Sequence, residues 1–410
     1  MLKVLYVCRL FSGLEESINN RRWRPTGVPT IYRIIDKLKK NNKYFKLILT
    51  SKGGFTKLNI KKNSEIILSD FILPITVLVD KGNYGKKFKL IKNIYREISQ
   101  FITIMYRLLL FNPDILYIDH GNIWSAGLLA RFTKTPVVFR VMGVYAPMHD
   151  TVNTKNPSLI QKLLKWLYRA PFKLVICTQD GTGVENWLRK ALKKSVKVEI
   201  LLNGLPKTNY SKTKTKFSEE FKYITFLGKL EHAKGAKQFV EAMCRVLKKN
   251  YKKKIIVNVV GFGSLREELI EYTKSFGLSN YFNFIERLPN DQIMPILKNT
   301  DIYVSLNRVG NLSNANLEAI AANCCIIIPE SKKINSIDVF TDSLLPRNAV
   351  FRIKDSDDIN GLVRLINNLL VNEKKILETK KELQKVKKSL KDWEQRIDYE
   401  IKLLEQIISN

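Results

Sequence analysis

The chain has 410 residues, 45% of them hydrophobic, a length that exceeds one ordinary core and points to two soluble domains of roughly 200 residues each. Its 70 Lys and Arg outweigh 38 Asp and Glu for a formal charge of +32, a field that attracts nucleic acid, anionic lipid or nucleotide phosphates, although lysines spread over solvated faces give the same total. No uninterrupted run of about 18 apolar residues exists, which argues against a membrane-spanning helix. The longest apolar stretch, residues 101–111, is split by Arg107, and the N-terminal MLKVLYVCRL reads as a first strand rather than a signal peptide. The five cysteines (Cys8, Cys177, Cys244, Cys324, Cys325) lack metal-ligand spacing and read as buried thiols of a reducing cytosol.

In chain order, strands are predicted at 3–10, 45–51, 114–119, 136–142, 173–179 and 196–202, with amphipathic helices between them, such as 26–42 and 123–133. The pattern restarts with strands at 223–230, 254–261, 281–286, 301–306 and 324–329. Short Val/Ile-rich strands alternating with helices of about 10–15 residues indicate two parallel-sheet α/β domains. Residues 203–222 are polar, rich in Lys, Ser and Thr, and without periodicity, so they are the expected linker. The expected division is therefore 1–202, the linker 203–222, 223–385, and a C-terminal helix over 386–410. Two doubly wound domains would offer a ligand cleft between the carboxyl ends of their strands. Basic residues interleaved with apolar ones at 87–96 and 189–197 suit a helix lying on an anionic membrane.

Four segments carry chemistry. In FLGKLEHAKGAKQFVEAM (226–243) a strand ends at Gly228, and Lys229 and Lys234 flank a helix opening at Gly235. Cations beside free helix amides suit a diphosphate, though a Lys-rich chain places Lys at many turns. In VVGFGSLREELI (259–270), Gly261 and Gly263 would let a backbone approach a ligand. As a dinucleotide fingerprint this fails, since Arg266 stands where the third glycine is needed. In GNLSNANLEAIAANCC (310–325), Ser313 or Asn314 is the natural N-cap of a small-residue helix, and Glu318 lies one turn inside, able to accept hydrogen bonds from a diol. An acid merely stabilising a surface helix N-terminus is the plainer alternative. Finally, His120 ends a strand in Asp119-His120-Gly121, one of three histidines in the chain, a position compatible with either a structural or a catalytic role.

These segments, in this order, resemble the family-4 glycosyltransferases of the GT-B fold. The resemblance rests on Asn203-Gly204 before the linker, Gly228-Lys229-Leu230, Lys234-Gly235, Gly261-x-Gly263 and Glu318-Ala319-Ile320-Ala321-Ala322-Asn323. PDILYIDHGN and TPVVFRVMG in the first half and Trp393 late in the chain add to it. It implies two Rossmann-like domains facing across a cleft, with the C-terminal helix returning to the first, acceptor-binding domain. It also implies sugar transfer from a nucleotide-sugar to a lipid-linked or glycan acceptor with retention of configuration, in cell-surface polysaccharide or glycoconjugate synthesis. Lys229 and Lys234 would bind the diphosphate, Glu318 the ribose, and His120 would sit near the transferred sugar. Gly228, Gly261, Gly263, Asn311, Ser313, Asn314 and Leu317 would complete the donor site, with Gly13, Gly27 and Gly143 near donor or acceptor. No metal or other cofactor and no nucleic acid is expected. The expected location is the cytoplasm, peripheral on the inner face of an anionic membrane.

The sequence departs from the family at four points, one of which, Cys325 in place of the usual Pro, has no functional explanation. Many relatives carry a second acid eight residues before the one matching Glu318; here position 310 is Gly, with Asn311 and Asn314 the nearest polar substitutes. The usual Arg is Lys229, which keeps charge but loses the bidentate fork. The family's helix-ending Gly is Asn323, the next-best residue for a left-handed end. A catalytically impaired relative that binds anionic lipid or another polyanion is the alternative reading.

Overall fold

The computed structural model describes residues 2–40, 44–52, 58–60, 62–80, 89–207, 221–249, 254–286, 288 and 290–409. Most of the expected linker, and the start of the 87–96 basic cluster, lie outside these residues. Two compact units result: Met1–Thr178 with Val184–Leu201 and Gln395–Asn410, and Gln179–Gly183 with Leu202–Glu394.

The first unit is built on an eight-stranded sheet of β1 (Val4–Arg9), β2 (Phe45–Thr50), β3 (Ser64–Leu68), β4 (Phe71–Leu78), β5 (Ile115–Asp119), β6 (Val137–Val141), β7 (Leu174–Gln179) and β8 (Val198–Leu202). Its order is β3-β4-β2-β1-β5-β6-β7-β8. The resolved ladders are parallel except β3, which returns antiparallel along β4 as an edge hairpin. The central strands β1, β5 and β6 are almost wholly buried, as expected of a sheet covered on both faces. The C-terminal helix Trp393–Ser409 supplies Glu400, whose carboxylate takes a hydrogen bond from the Tyr117 hydroxyl and pairs with Arg140 at 3.1 Å and with Arg396 at 2.5 Å. Arg140 and Glu400 are both fully buried. Burial alone would push the Glu400 carboxyl up, but the two guanidinium groups outweigh it and hold it below the ordinary value.

The second unit holds a six-stranded, all-parallel sheet of β9 (Lys222–Leu227), β10 (Ile255–Val260), β11 (Phe282–Ile285), β12 (Ile302–Val304), β13 (Cys325–Pro329) and β14 (Phe351–Ile353). Its order, β11-β10-β9-β12-β13-β14, is the doubly wound arrangement in which the chain reverses direction across the sheet between β9 and β12. In such sheets ligands settle outside the carboxyl ends of the strands at that reversal. In the first unit the chain reverses in the same way between β1 and β5.

Two boundaries differ from the sequence expectation. Residues 179–183 group with the second unit, because the Leu312 N–H donates to the Asp180 carbonyl at 3.1 Å and the Asp338 N–H to the Gly181 carbonyl at 2.7 Å. The helix Glu373–Ser389 also belongs to the second unit, and the returning helix begins only at Trp393, whose N–H bonds the Leu205 carbonyl at 3.1 Å. All five cysteines are buried and free. No helix among the described residues is long and apolar enough to cross a membrane.

Candidate functional site

At the carboxyl end of β9 the chain runs through Gly228 and Lys229 into a short 3-10 turn, His232–Lys234, that closes on Gly235 with φ +71°. A Cβ at Gly235 would collide with Leu306 just beyond β12, so glycine lets this turn lie against the neighbouring strand end. The helix Ala236–Lys249 then begins, seated by its apolar face in the core under the sheet. Lys229 is exposed, whereas Lys234 is half-buried. Burial pushes the Lys234 ammonium down; the Asp180 carboxylate pulls it back up, and Lys229 adds to the lowering. Both lysines therefore stand where the doubly wound topology places a ligand.

Gly261 and Gly263 have a different cause from the one their spacing suggests. A Cβ at Gly261 (φ +145°) would strike the Gly228 carbonyl, and one at Gly263 would strike the backbone of Leu230. The close approach is to the protein's own chain, where Leu230 and Phe262 pair through a 2.8 Å backbone bond. Glu231 completes this contact by accepting from the Ser264 N–H at 3.0 Å and hydroxyl at 2.7 Å. Gly228 is the exception: a Cβ there would touch nothing closer than the Phe226 ring at 3.7 Å.

The helix Asn314–Ala321 is capped by Ser313, whose hydroxyl accepts from the Asn316 N–H at 3.4 Å. Asn316 is itself buried and bonds the Tyr303 hydroxyl at 3.0 Å and the Asn311 carbonyl at 3.0 Å. Leu317 faces the core, not a ligand. The Glu318 carboxyl is pushed up to about 7 by burial, and no neighbouring charge contributes to that shift.

Asn311 does not replace a missing acid. Its side chain donates to the Asn307 carbonyl at 3.2 Å and to the Asp338 carboxylate at 2.7 Å, and accepts from Ser305 at 3.2 Å. The protein uses both amide hydrogens and one of the two acceptor positions of the oxygen, which makes Asn311 a structural post. The Asn314 carbonyl oxygen accepts from Asn203 at 2.7 Å. Gly310 has φ +82°, and a Cβ there would run into the Asp180 carbonyl and lie 2.9 Å from the Thr182 methyl. No acid fits at 310; the space belongs to residues 180–182, a segment the sequence reading left in the first domain.

In the first unit, His120 follows β5 at the reversal point of its own sheet. Its Nε2 lies 2.7 Å from the Tyr168 hydroxyl, and its ring is boxed by Phe139, Tyr145, Tyr168 and Trp187. Burial, helped by Arg9, pushes its pKa down to about 4, so it is a neutral hydrogen-bonding group at pH 7 rather than a cation. Arg9, at the end of β1, was not anticipated: its side chain bonds the Ser51 carbonyl at 2.8 Å and the Gly121 carbonyl, while its N–H meets Asp119 at 2.7 Å. This network ties the ends of β1, β2 and β5 together beside His120. Gly13 abuts the Thr26 backbone, and Gly27 and Gly143 take φ +97° and +104° in the loops nearby.

Residues 207–389 match the model of the family described as Glycosyl transferases group 1. The matched residues all lie within the second unit. No curated protein matches the chain by sequence. Among solved structures it is similar to sucrose-phosphate synthase from Thermosynechococcus elongatus, with a TM-score of 0.69, 12% identity, and 99% of each chain covered. It is also similar to an α,α-trehalose-phosphate synthase (UDP-forming) from Burkholderia vietnamiensis, with a TM-score of 0.65, 11% identity and 99% of each chain covered. A lipopolysaccharide outer core galactosyltransferase gives a TM-score of 0.60 at 10% identity, covering 95% of this chain and 96% of that one. At these identities the likeness shows the fold, GT-B, to which both sheets of this chain conform.

Proposed function

We propose that the chain is a retaining glycosyltransferase of family 4 that moves a sugar from a nucleoside-diphosphate sugar to a lipid-linked or glycan acceptor. The observation that carries this is Lys234, a half-buried ammonium at the reversal point of the second unit's sheet, with no hydrogen-bond partner among the described residues. A cation kept partly out of water without a fixed partner is poised for an anion. Departure of a nucleoside diphosphate leaves charge on the phosphates, and Lys234 with Lys229 would neutralise it as it develops. The carboxylate of Glu318, a half-buried residue, likewise has no hydrogen bond among the described residues and would accept from the ribose hydroxyls. His120, neutral, would hydrogen-bond the reacting sugar instead of stabilising charge. The names of the structural neighbours, two sugar-phosphate synthases and a galactosyltransferase, agree with this chemistry. The transfer is proposed to need no metal, so EDTA should leave turnover unchanged.

The acceptor side is proposed to sit on an anionic membrane face, in glycoconjugate synthesis. Three helices of the first unit that pack side by side, Lys89–Phe111, Ile123–Phe132 and Leu159–Tyr168, support this. The first exposes Ile91, Tyr95, Ile98, Ile102, Tyr106 and Leu109, a continuous stripe at helical spacing; Phe132, Leu159 and Trp166 are exposed on the other two. Their one acid, Glu97, is buried against Arg96, so Lys and Arg alone flank the apolar surface. Such a face suits anionic lipid.

The decisive experiment is titration with UDP-, GDP- and ADP-sugars, followed by an assay for acceptor-dependent release of nucleoside diphosphate. Lys234→Ala should abolish most turnover; full turnover in that variant removes the assigned role. Pelleting with anionic vesicles but no donor binding would instead favour a non-enzymatic lipid-binding relative.

A further inference from the structure

Two acids of the second unit contrast sharply, Asp338 being buried and Asp180 half-buried. Asp338 has both carboxylate oxygens filled: Oδ1 accepts from the Asn311 N–H at 2.6 Å and the Thr341 hydroxyl at 2.7 Å, and Oδ2 from the Asn311 amide at 2.7 Å. It is a closed structural clamp. Asp180 is equally well anchored in its backbone, through Leu312, but its carboxylate is only half used. Thr182 donates to Oδ1 twice, from its N–H at 3.1 Å and its hydroxyl at 2.5 Å. Apart from its own backbone N–H, the carboxylate has no further donor among the described residues, and Oδ2 takes no hydrogen bond from another of them. The carboxylate is therefore held in one orientation with one oxygen left open.

Several features bear on what that oxygen meets. The carboxyl is largely out of water, and burial pushes it up to about 6, so leaving an oxygen unpaired there is costly unless something else fills it. The Asp180 carboxylate pulls the Lys234 ammonium's pKa upward, yet the two groups form no ion pair among the described residues. The loop also occupies the space at Gly310, beside the turn that carries Lys234: the Arg308 N–H bonds the Ala233 carbonyl at 3.1 Å. A carboxylate repels phosphate and accepts from hydroxyls. A nucleotide-sugar presents a diphosphate and, one bond away, a ring of hydroxyls.

We propose that Asp180 is a binding residue of the donor site, its free carboxylate oxygen accepting from hydroxyls of the sugar whose diphosphate Lys234 holds. The assignment rests on the donor role given to Lys234. It makes residues 179–183 a recognition loop that selects the sugar, separate from the lysines that hold the nucleotide.

The test is calorimetric titration of the full chain with UDP, GDP and ADP and with the glucose and galactose esters of each. For the nucleotide that binds, Asp180→Asn should weaken the sugar ester about 10- to 100-fold, the value of a charge-assisted hydrogen bond, and leave the free diphosphate within about twofold. Thr182→Val, which frees the carboxylate to rotate, should shift the same ratio in the same direction by less, and serves if Asp180→Asn folds poorly. Equal weakening of ester and diphosphate means that the loop is merely structural and overturns the proposal. Unchanged affinities for both overturn it too, while leaving the Lys234 reading intact. Wild-type protein that binds none of the diphosphates or esters sinks both.

Discussion

Replacing Gly310 with Ala tests the packing that defines the second unit's loop. The backbone there has φ +82°, a left-handed conformation that costs an L residue about 1–2 kcal/mol. The new Cβ would also drive against the Asp180 carbonyl and the Thr182 methyl, so the 3.1 Å bond from the Leu312 N–H to that carbonyl must lengthen or break. Losing it adds about 1 kcal/mol, with a further fraction from the displaced loop. The total is about 2–4 kcal/mol, which in a unit of roughly 200 residues lowers the midpoint by about 5–15 °C. Gly277 supplies an internal control. Its φ is +66°, but a Cβ there meets nothing within 4 Å, so Gly277→Ala should cost only the backbone term and about 2–5 °C. Scanning calorimetry on the two variants separates strain from collision. Equal midpoints for Gly310→Ala and Gly277→Ala would refute the placement of residues 180–182 over position 310.

Other outcomes follow from the first unit and the cap. The folded pKa of His120, about 4, lies below the ordinary imidazole value near 6.5, so below pH 6.5 the unfolded chain binds the extra proton. Stability should fall as pH drops from 6.5 to 4, by about 3 kcal/mol at most from this group, and His120→Asn should flatten that slope in urea titrations. Glu400 works in the same sense at lower pH: its folded pKa is depressed, so its contribution is present above the ordinary carboxyl range and is lost as pH falls through the lower folded value. Glu400→Gln leaves Arg140 buried without its counter-charge and should cost about 3–5 kcal/mol in urea unfolding at pH 7. Ser313→Ala should cost about 1 kcal/mol by removing the helix cap, with no change in the affinity for free nucleoside diphosphate.

Much of the architecture was legible because its signals are local. Every predicted strand is present, to within a few residues at its ends, since Val/Ile-rich runs between turn residues announce themselves. The β3–β4 hairpin was not predicted: Pro74 interrupts β4, and proline argues against a strand with neighbours on both sides. β14 escaped because three residues, Phe351–Ile353, carry no period. Lys229, Lys234 and His120 read as residue types beyond strand ends and Ser313 as a helix cap, and the structure puts them at those positions. What the amides of residues 311–316 do was not legible, because Asn311 is consumed by Asp338, a partner 27 positions away. Asp180 had a usable signal in hindsight, an acid beside two glycines just after a strand's carboxyl end. The unit it serves is decided by packing across more than a hundred residues, which no local pattern reveals.

The buried pairing of Arg140 with Glu400 has a consequence for how the protein is made. The eight strands of the first sheet are complete by Leu202, yet the acid that neutralises Arg140 lies 260 positions further along the chain. At about 5–20 residues per second, a ribosome that has passed Leu202 needs roughly 10–40 s to deliver Glu400. For that interval the nascent first unit carries an uncompensated guanidinium where its core should close. Its last folding step is therefore timed by the synthesis of the segment around Glu400, and chains truncated before residue 400 should be recognised as unfinished by chaperones and proteases.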